Sequence, residues 1–134
     1  MVREVALPLL AAIFLVSAAT AQTKKTLPIG NPIAGKVLYE AKCGGCHSLD
    51  ANRIGPLHRG VVGRRPGAVT GYAYSTGVKA LGGIWTPARL NQWLQGPQQM
   101  ARGSKMFTTV SHAVDRRDII AYLQSVSPPN AKGP

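Results

Sequence analysis

Five consecutive residues carry the clearest chemistry in the chain: Cys43, Gly44, Gly45, Cys46 and His47. Two thiols three positions apart, followed directly by an imidazole, are the arrangement that attaches a c-type haem. Each sulfur adds to one vinyl group on the same edge of the porphyrin, and the adjacent ring nitrogen reaches the iron. The spacing therefore predicts one covalently attached haem c, with His47 as an axial ligand of its iron.

Three other uses of the cysteine pair are weaker interpretations. A redox dithiol is expected within a βαβ unit, and nothing near residues 43–46 alternates like a buried strand. A zinc site needs four ligands, but the chain has no second cysteine pair and only 3 histidines. A disulfide that closes so short a loop would add little stability.

The second axial ligand must come from a residue far enough along the chain to reach the opposite haem face. The candidates are Met100, Met106 and His112, because His58 follows His47 too closely. A thioether closes the site and raises the reduction potential, whereas an open position binds gases or peroxide. The residues alone leave the choice among the three candidates open.

The first element that must position the motif is a helix that runs into Cys43. Asn31 is a suitable N-cap and Pro32 a suitable first residue, because the missing proline N–H has no helical partner there. We expect an apolar stripe to form the buried face, at Ile33, Ala34, Val37, Leu38 and Ala41. Gly35 beside this stripe would let another helix approach closely.

Two further main helices are predicted. The second opens at Thr86 and Pro87, and the Gly-Pro pair at 96–97 ends it. The third begins near Asp115, whose charge suits the positive end of a helix dipole, and ends before Pro128.

The segments between these helices have the composition of long loops. Residues 48–83 are rich in Gly, Pro, Arg and Ser/Thr, with a short helix predicted over 75–81, and residues 96–112 form a second loop. Such loops normally argue against a compact domain, but a flat apolar haem would supply core surface for them to enclose. The prediction is an all-α domain of three main helices with long loops wrapped around one covalent haem c.

The N-terminal residues are typical of an export signal. Arg3 precedes an apolar stretch over 5–19, and Ala-Thr-Ala at 19–21 is a small-residue cleavage site. An uncleaved anchor facing the periplasm is the alternative, although the stretch is short for a membrane span. The predicted organisation is a signal peptide over 1–21, a flexible lead-in over 22–30, the haem domain over 31–127 and a disordered tail over 128–134. We therefore expect a periplasmic protein.

The formal net charge of the chain is +11, a large positive field for 134 residues. The bases are scattered or paired, without a basic helix or an aromatic platform for nucleic acid. The charge therefore predicts transient encounter with acidic redox proteins. We expect a monomer that does not bind nucleic acid and does not insert stably in a membrane.

The ordered motifs resemble class I cytochrome c, in its mitochondrial and bacterial c2-like branch. The resemblance covers about residues 31–126. It rests on seven segments: Cys43–His47, Gly55-Pro56, Gly60-Val-Val-Gly63-Arg64, Gly71-Tyr-Ala-Tyr74, Gly83-Ile-Trp85, Gly103-Ser-Lys-Met106 and Asp118–Leu123. It implies a small cytochrome c fold and an electron carrier that is not an enzyme.

The resemblance also implies roles for single residues around the haem. Met106 would be the distal ligand, and the carbonyl of Pro56 would accept a hydrogen bond from His47. Tyr74 and Trp85 would donate to a buried haem propionate. Arg64 would compensate the charge of that propionate. Without the resemblance, the two aromatic residues are ordinary core side chains and the arginine is a solvated base.

Two surfaces of the domain are implied in the same way. The first and last helices would cross where Gly35 and Tyr39 pack against Ile119 and Tyr122. The docking surface for partners would be the exposed haem edge, with its bases Lys42, Arg53 and Lys105. The plain alternative for these three bases is ordinary solvated charge.

The chain departs from the family pattern in its two haem loops. Arg102 stands where proline usually precedes the methionine loop, and Gln98-Gln99 replaces a basic pair. Thr108 lies where an aromatic side chain often covers the haem, although Phe107 is adjacent to it. Leu57-His58 shifts the leucine of the proximal loop by one place.

The leading hypothesis is a one-electron carrier between a membrane complex or dehydrogenase and a terminal oxidase or reductase. A haem domain tethered to a respiratory complex is the first alternative. A gas-binding sensor or enzyme with an open haem is the second, and peroxidase chemistry is disfavoured because the sequence offers no distal acid or base near Met106.

Overall fold

A computed structural model describes residue 1 and residues 29–128. Apart from Met1, the predicted signal peptide lies outside the described residues, as do most of the lead-in and nearly all of the tail, so those boundaries stay predictions. The described part contains five helices and no strand: α1 Pro32–Lys42, α2 Thr76–Lys79, α3 Pro87–Gln95, α4 Pro97–Met100 and α5 Ala113–Ser125. The all-α prediction is confirmed for this part of the chain.

Helix α1 begins as the sequence predicts, but it buries a different face. The Asn31 side chain accepts hydrogen bonds from the backbone N–H groups of Ile33 at 2.9 Å and Ala34 at 3.2 Å. The predicted apolar stripe is wrong in part, because Ile33 is 80% exposed and Val37 is 64% exposed, whereas Leu38 packs against the core. Gly35 and Tyr39 are the buried residues of this helix.

The reason lies in how closely α1 approaches α5. A Cβ atom built on Gly35 would lie 1.9 Å from the backbone oxygen of Asp118, so only glycine allows this contact. Tyr39 packs against Tyr122 with ring centroids 5.3 Å apart, and Ile119 is fully buried in the same cluster. The predicted crossing of the first and last helices is therefore present, and the bare glycine surface determines which side of α1 faces it.

Helix α3 begins where the sequence places it. The Thr86 hydroxyl oxygen accepts from the backbone N–H of Arg89 at 3.2 Å, and Leu90 and Leu94 form the buried face. The Gly-Pro pair that ends α3 also starts α4, a single turn that the sequence assigned to a loop. Proline ends one helix and opens the next because its fixed φ suits the first turn.

The second long loop is attached to the helices by a buried arginine on α5. Arg116 donates to the Asn91 side chain at 2.9 Å, to the carbonyl of Val110 at 2.7 Å and to that of Ser111 at 2.6 Å. Hydrogen bonds to three acceptors offset the cost of burying the charge. The guanidinium thus connects α3, α5 and the end of this loop.

The first long loop contains α2, inside the range predicted for a short helix. Two backbone hydrogen bonds join the early part of this loop to Trp85, near the start of α3. The Gly63 N–H donates to the Trp85 carbonyl at 2.9 Å, and the Trp85 N–H donates to the Arg64 carbonyl at 2.8 Å. Gly63 adopts φ 91°, a left-handed conformation that favours glycine. In residues 29–128 no helix has the length and apolar character that crossing a bilayer requires.

Candidate functional site

A cavity of about 280 Å³ lies among the helices and the two long loops. Cys43, Cys46, His47 and Met106 all line it. Most of the remaining wall is apolar, as at Val61, Val78, Leu90, Leu94, Ile119 and Leu123. An apolar cavity bordered by a few groups able to bond a cofactor is the usual form of a cofactor site.

The cysteine motif forms a turn that continues α1. The backbone N–H of Cys43 donates to Tyr39 at 2.8 Å, and the N–H groups of Cys46 and His47 both donate to Cys43, at 3.0 and 2.9 Å. This turn places both thiols and the imidazole beside the same cavity. The thiols are free, and Cys46 is exposed.

The protonation of Cys43 argues against a redox dithiol. Burial raises the pKa of the Cys43 thiol to about 11. A redox-active cysteine needs a lowered pKa, because the thiolate is the reactive form. A zinc site is also unsupported, since residues 29–128 contain no group of three or more His, Cys, Asp or Glu side chains placed to hold a metal. Haem attachment is the use of the motif that these observations favour.

His47 is oriented by its contacts with the Gly55-Pro56 loop. Its Nδ1 lies 2.8 Å from the carbonyl oxygen of Pro56, so Nδ1–H donates and Nε2 keeps a lone pair for a metal. A Cβ atom on Gly55 would lie 2.1 Å from His47 Cε1, so glycine is required beside the ring. Burial lowers the pKa of His47 and keeps the ring neutral, which is the ligating form.

Of the three candidate distal ligands, Met106 lines the cavity, whereas Met100 and His112 do not. The indole Nε1–H of Trp93 donates to Met106 Sδ at 3.2 Å. The thioether is therefore held beside the same cavity as His47, and its ligand role remains a prediction. Nothing in the local sequence indicated that Trp93 would contact this methionine.

The backbone of the methionine loop is held by a second residue that sequence reasoning missed. Gln98 Nε2 donates to the carbonyl oxygens of Ser104 at 2.6 Å and Met106 at 2.9 Å. The Ser104 hydroxyl oxygen accepts from the Met106 N–H at 3.1 Å. The sequence shows glutamine in place of a basic residue at position 98. The carbonyl groups that Gln98 binds are known only from the structure, in which α4 brings this side chain beside the loop.

Tyr74, Trp85 and Arg64 all line the cavity, as a role near a haem propionate requires. Arg64 also donates to the carbonyl oxygens of Leu57 at 2.8 Å and Arg59 at 3.0 Å. It therefore supports the proximal loop directly. Burial lowers the pKa of Arg64, although not enough to discharge a guanidinium.

The three bases predicted at the haem edge are exposed and held by nearby acceptors. Lys42 lies 3.6 Å from the Asp115 carboxylate, Arg53 donates to the carbonyl of Gly44 at 2.7 Å, and Lys105 donates to that of Ala73 at 2.5 Å. Lys42 and Lys105 border the cavity. Two exposed apolar residues border it as well, Ile54 at 75% and Phe107 at 77% exposure.

His58 also lines the cavity, although its closeness to His47 along the chain had excluded it as a distal ligand. Its ring stacks on that of His47, with centroids 3.9 Å apart and an interplanar angle of 19°. An imidazole in a loop where the family resemblance leads us to expect leucine was the signal for this contact.

Known proteins are similar to this chain over most of the described residues. The family model described as cytochrome c matches residues 33–127. Cytochrome c2 of Rhodopila globiformis is 38% identical over 102 residues, which cover 74% of this chain and 96% of that protein. The "cytochrome c-type cyt cy" of Rhodobacter capsulatus is 39% identical over 99 residues, which cover 72% of this chain and 50% of that protein. The chain thus matches about half the length of this second relative.

A solved structure is similar over the same region. Cytochrome cH from Methylobacterium extorquens has a TM-score of 0.68 and 40% identity, covering 72% of this chain and 99% of that chain. At this identity the likeness extends to sequence as well as to fold. The matched region, residues 33–127 in the family model, includes the thiols, the imidazole and the thioether described above.

Proposed function

Because the chain belongs to the class I cytochrome c family, we propose that it carries single electrons between a membrane complex or dehydrogenase and a terminal oxidase or reductase. Members of this family hold one haem c by covalent bonds, and its iron supplies the chemistry by gaining or losing one electron. The observation that carries the proposal is that one apolar cavity is lined by two thiols, an imidazole and a thioether.

The residues of the chain have defined tasks in this proposal. Cys43 and Cys46 attach the haem, and His47 and Met106 ligate it from two parts of the chain that the fold brings to one cavity. Pro56 orients the imidazole and Trp93 restrains the thioether. Tyr74, Trp85 and Arg64 bind the propionate side of the group.

The protein makes and breaks no bond of a substrate in this proposal. No aspartate or glutamate is among the described residues that line the cavity, so no carboxylate is placed for acid–base chemistry there. Because His47 and Met106 would both hold the iron, gases and peroxide would find no open site on it. These features favour a carrier over a sensor or a peroxidase.

Partners are proposed to dock at the haem edge surface, which we define as Lys42, Arg53, Ile54, Lys105 and Phe107. These residues are all exposed, and four of them border the cavity: Lys42, Ile54, Lys105 and Phe107. The bases would orient an acidic partner during encounter, and the two apolar side chains would make short-lived contact. A small apolar contact within a charged rim suits a carrier that must also dissociate quickly.

The proposed location is the periplasm, after removal of residues 1–21. The proposal rests on the composition of that segment. Intact-mass analysis of the periplasmic fraction tests it, since the predicted product begins at Gln22 and carries the mass of one haem. A product that keeps residues 1–21 and sediments with membranes would instead support the tethered alternative.

The experiment that tests the carrier function uses the purified holoprotein. We expect the reduced protein to refuse carbon monoxide at neutral pH and to be reoxidised by a membrane fraction containing a terminal oxidase. Met106→Ala should open the site and bind carbon monoxide, whereas Met100→Ala, outside the cavity, should not. Ready binding of carbon monoxide by the unaltered protein would contradict the proposal.

A further inference from the structure

The ring of His58 lies directly against the ring of His47. Their centroids are 3.9 Å apart and their planes differ by 19°, which is a stacked arrangement. The His47 ring has two further neighbours. Its Nδ1–H donates to the Pro56 carbonyl, and Gly55 lies directly beside Cε1. The loop that follows the motif therefore contacts the His47 ring through three different residues.

The backbone around His58 leaves its ring little freedom to move away. The His58 N–H donates to Ser48 at 2.9 Å, and its carbonyl accepts from Val61 at 2.9 Å. The guanidinium of Arg64 binds the carbonyl groups on both sides of His58, those of Leu57 and Arg59. A residue whose own and neighbouring backbone groups are all bonded presents a rigid surface to its partner.

The polarity of His58 has no structural justification in its surroundings. Its Nδ1 is buried without a hydrogen-bond partner, and the Tyr39 ring lies 5.7 Å away with a hydroxyl that is also unpartnered. An unpaired buried polar atom destabilises the folded state. A leucine would fill the same space without that cost, so stability alone does not account for an imidazole here.

We propose that His58 is a positioning residue for His47, whose stacked ring sets the orientation of the His47 imidazole and whose buried polarity favours the oxidised form of the site. This inference rests on the proposed electron-carrier function and adds a residue that controls it. Loss of one electron from the haem iron to a redox partner would add one positive charge within the cavity, and a buried polar ring would stabilise that charge better than an alkyl group. The flat contact restricts rotation of His47 about its side-chain bonds.

Three variants separate the two parts of the proposal, and each is compared as purified holoprotein. His58→Leu removes both ring and polarity, His58→Phe keeps a flat ring without nitrogen, and His58→Gln keeps polarity without a ring. His112→Leu is the matched control, because His112 is exposed and outside the cavity. Two readouts are used: the reduction potential, and the electron paramagnetic resonance g values of the oxidised protein, which depend on the orientation of the axial ligands.

We expect His58→Leu to raise the potential and to change the g values. His58→Phe should raise the potential but leave the g values near those of the unaltered protein. His58→Gln should change the g values but leave the potential near that of the unaltered protein. Should His58→Leu fail to accumulate, the Phe and Gln pair gives the same comparison. Unchanged g values in His58→Gln overturn the positioning role, and an unchanged potential in His58→Phe overturns the effect of polarity.

The readouts keep this inference separate from the carrier function. Both are properties of the isolated holoprotein and need no partner. If the variants behave as expected while the unaltered protein fails to be reoxidised by membranes, the carrier function is wrong and the role of His58 stands. If reoxidation succeeds and the variants match the control, only the role of His58 is wrong.

Discussion

The indole N–H of Trp93 and the thioether of Met106 form a hydrogen bond of 3.2 Å. Trp93 belongs to α3, whereas Met106 lies in the loop between α4 and α5. The Trp93 ring also packs edge-to-face on Trp85, with centroids 5.3 Å apart. Core packing thus holds the Trp93 indole in place. The indole N–H in turn restrains the thioether end of the flexible Met106 side chain.

Trp93→Phe should lower the reduction potential. A hydrogen bond to sulfur withdraws electron density, so its removal makes the thioether a better donor and favours the oxidised form. The replaced ring keeps most of the packing against Trp85. Spectroelectrochemical titration measures the potential, and Gln92→Ala on the exposed side of the same helix is the control. A potential equal to that of the control would show that the contact has no effect on the site.

Gln98→Leu should loosen the methionine loop. The substitution removes hydrogen bonds to the carbonyl groups of Ser104 and Met106, which together are worth about 1–3 kcal/mol. Arg102 replaces the proline expected before this loop, so the loop depends more on side-chain bonds for its rigidity. We expect ligand exchange by imidazole to accelerate, measured by stopped-flow absorbance. Gln99→Leu, at the exposed neighbouring position, should exchange at the original rate; equal acceleration in both variants would contradict the role of Gln98.

Gly35→Ala should destabilise the fold, because a Cβ atom there would lie 1.9 Å from the Asp118 backbone oxygen. Helices α1 and α5 must separate to admit the methyl group, which we expect to cost about 1–3 kcal/mol. Guanidinium denaturation of the holoprotein gives the change in free energy of unfolding. Gly82→Ala is the matched control, since a Cβ atom at Gly82 meets nothing within 4 Å. Equal midpoints for the two variants would mean that the helices tolerate the methyl group.

Asp118→Asn should reduce the loss of unfolding free energy that accompanies a fall in pH. The Asp118 carboxylate accepts from the Asn31 N–H at 3.0 Å and from Arg117 at 3.0 Å, and the backbone bond is the larger cause of its lowered pKa. A lowered carboxyl pKa gives stability that is fully present above the ordinary value of 3.8 and is lost as the pH falls through the folded value. The variant should therefore be less stable at neutral pH and converge with the unaltered protein in acid. Denaturation midpoints from pH 7 to pH 2 measure this, and a constant difference across the range would refute it.

Lys105→Gln should slow electron transfer to an acidic partner at low salt. The substitution removes one charge from the haem edge surface, so the encounter rate falls. At about 1 M salt the Debye length is about 3 Å, and the variant and the unaltered protein should then react at equal rates. Lys36→Gln on α1, outside the cavity lining, is the control. A deficit in the Lys105 variant that persists at high salt would indicate a structural effect instead of steering.

The sequence by itself determined the cofactor and the class of fold. The attachment motif is local, because five adjacent residues contain both thiols and the imidazole. The starts of α1 and α3 are local as well, since the Asn31 and Thr86 caps bond to residues within three positions. Local chemistry of this kind is readable without knowing what lies across the molecule.

Only the tertiary structure decided which residues meet. Periodicity assigned Ile33 and Val37 to the core, but the closest approach between helices occurs at Gly35, so α1 turns that side inward. The bond from Trp93 to Met106 and the stacking of His58 on His47 join residues brought together by packing. Such contacts depend on how the helices and loops fill space around one cavity, and no spacing along the chain encodes them.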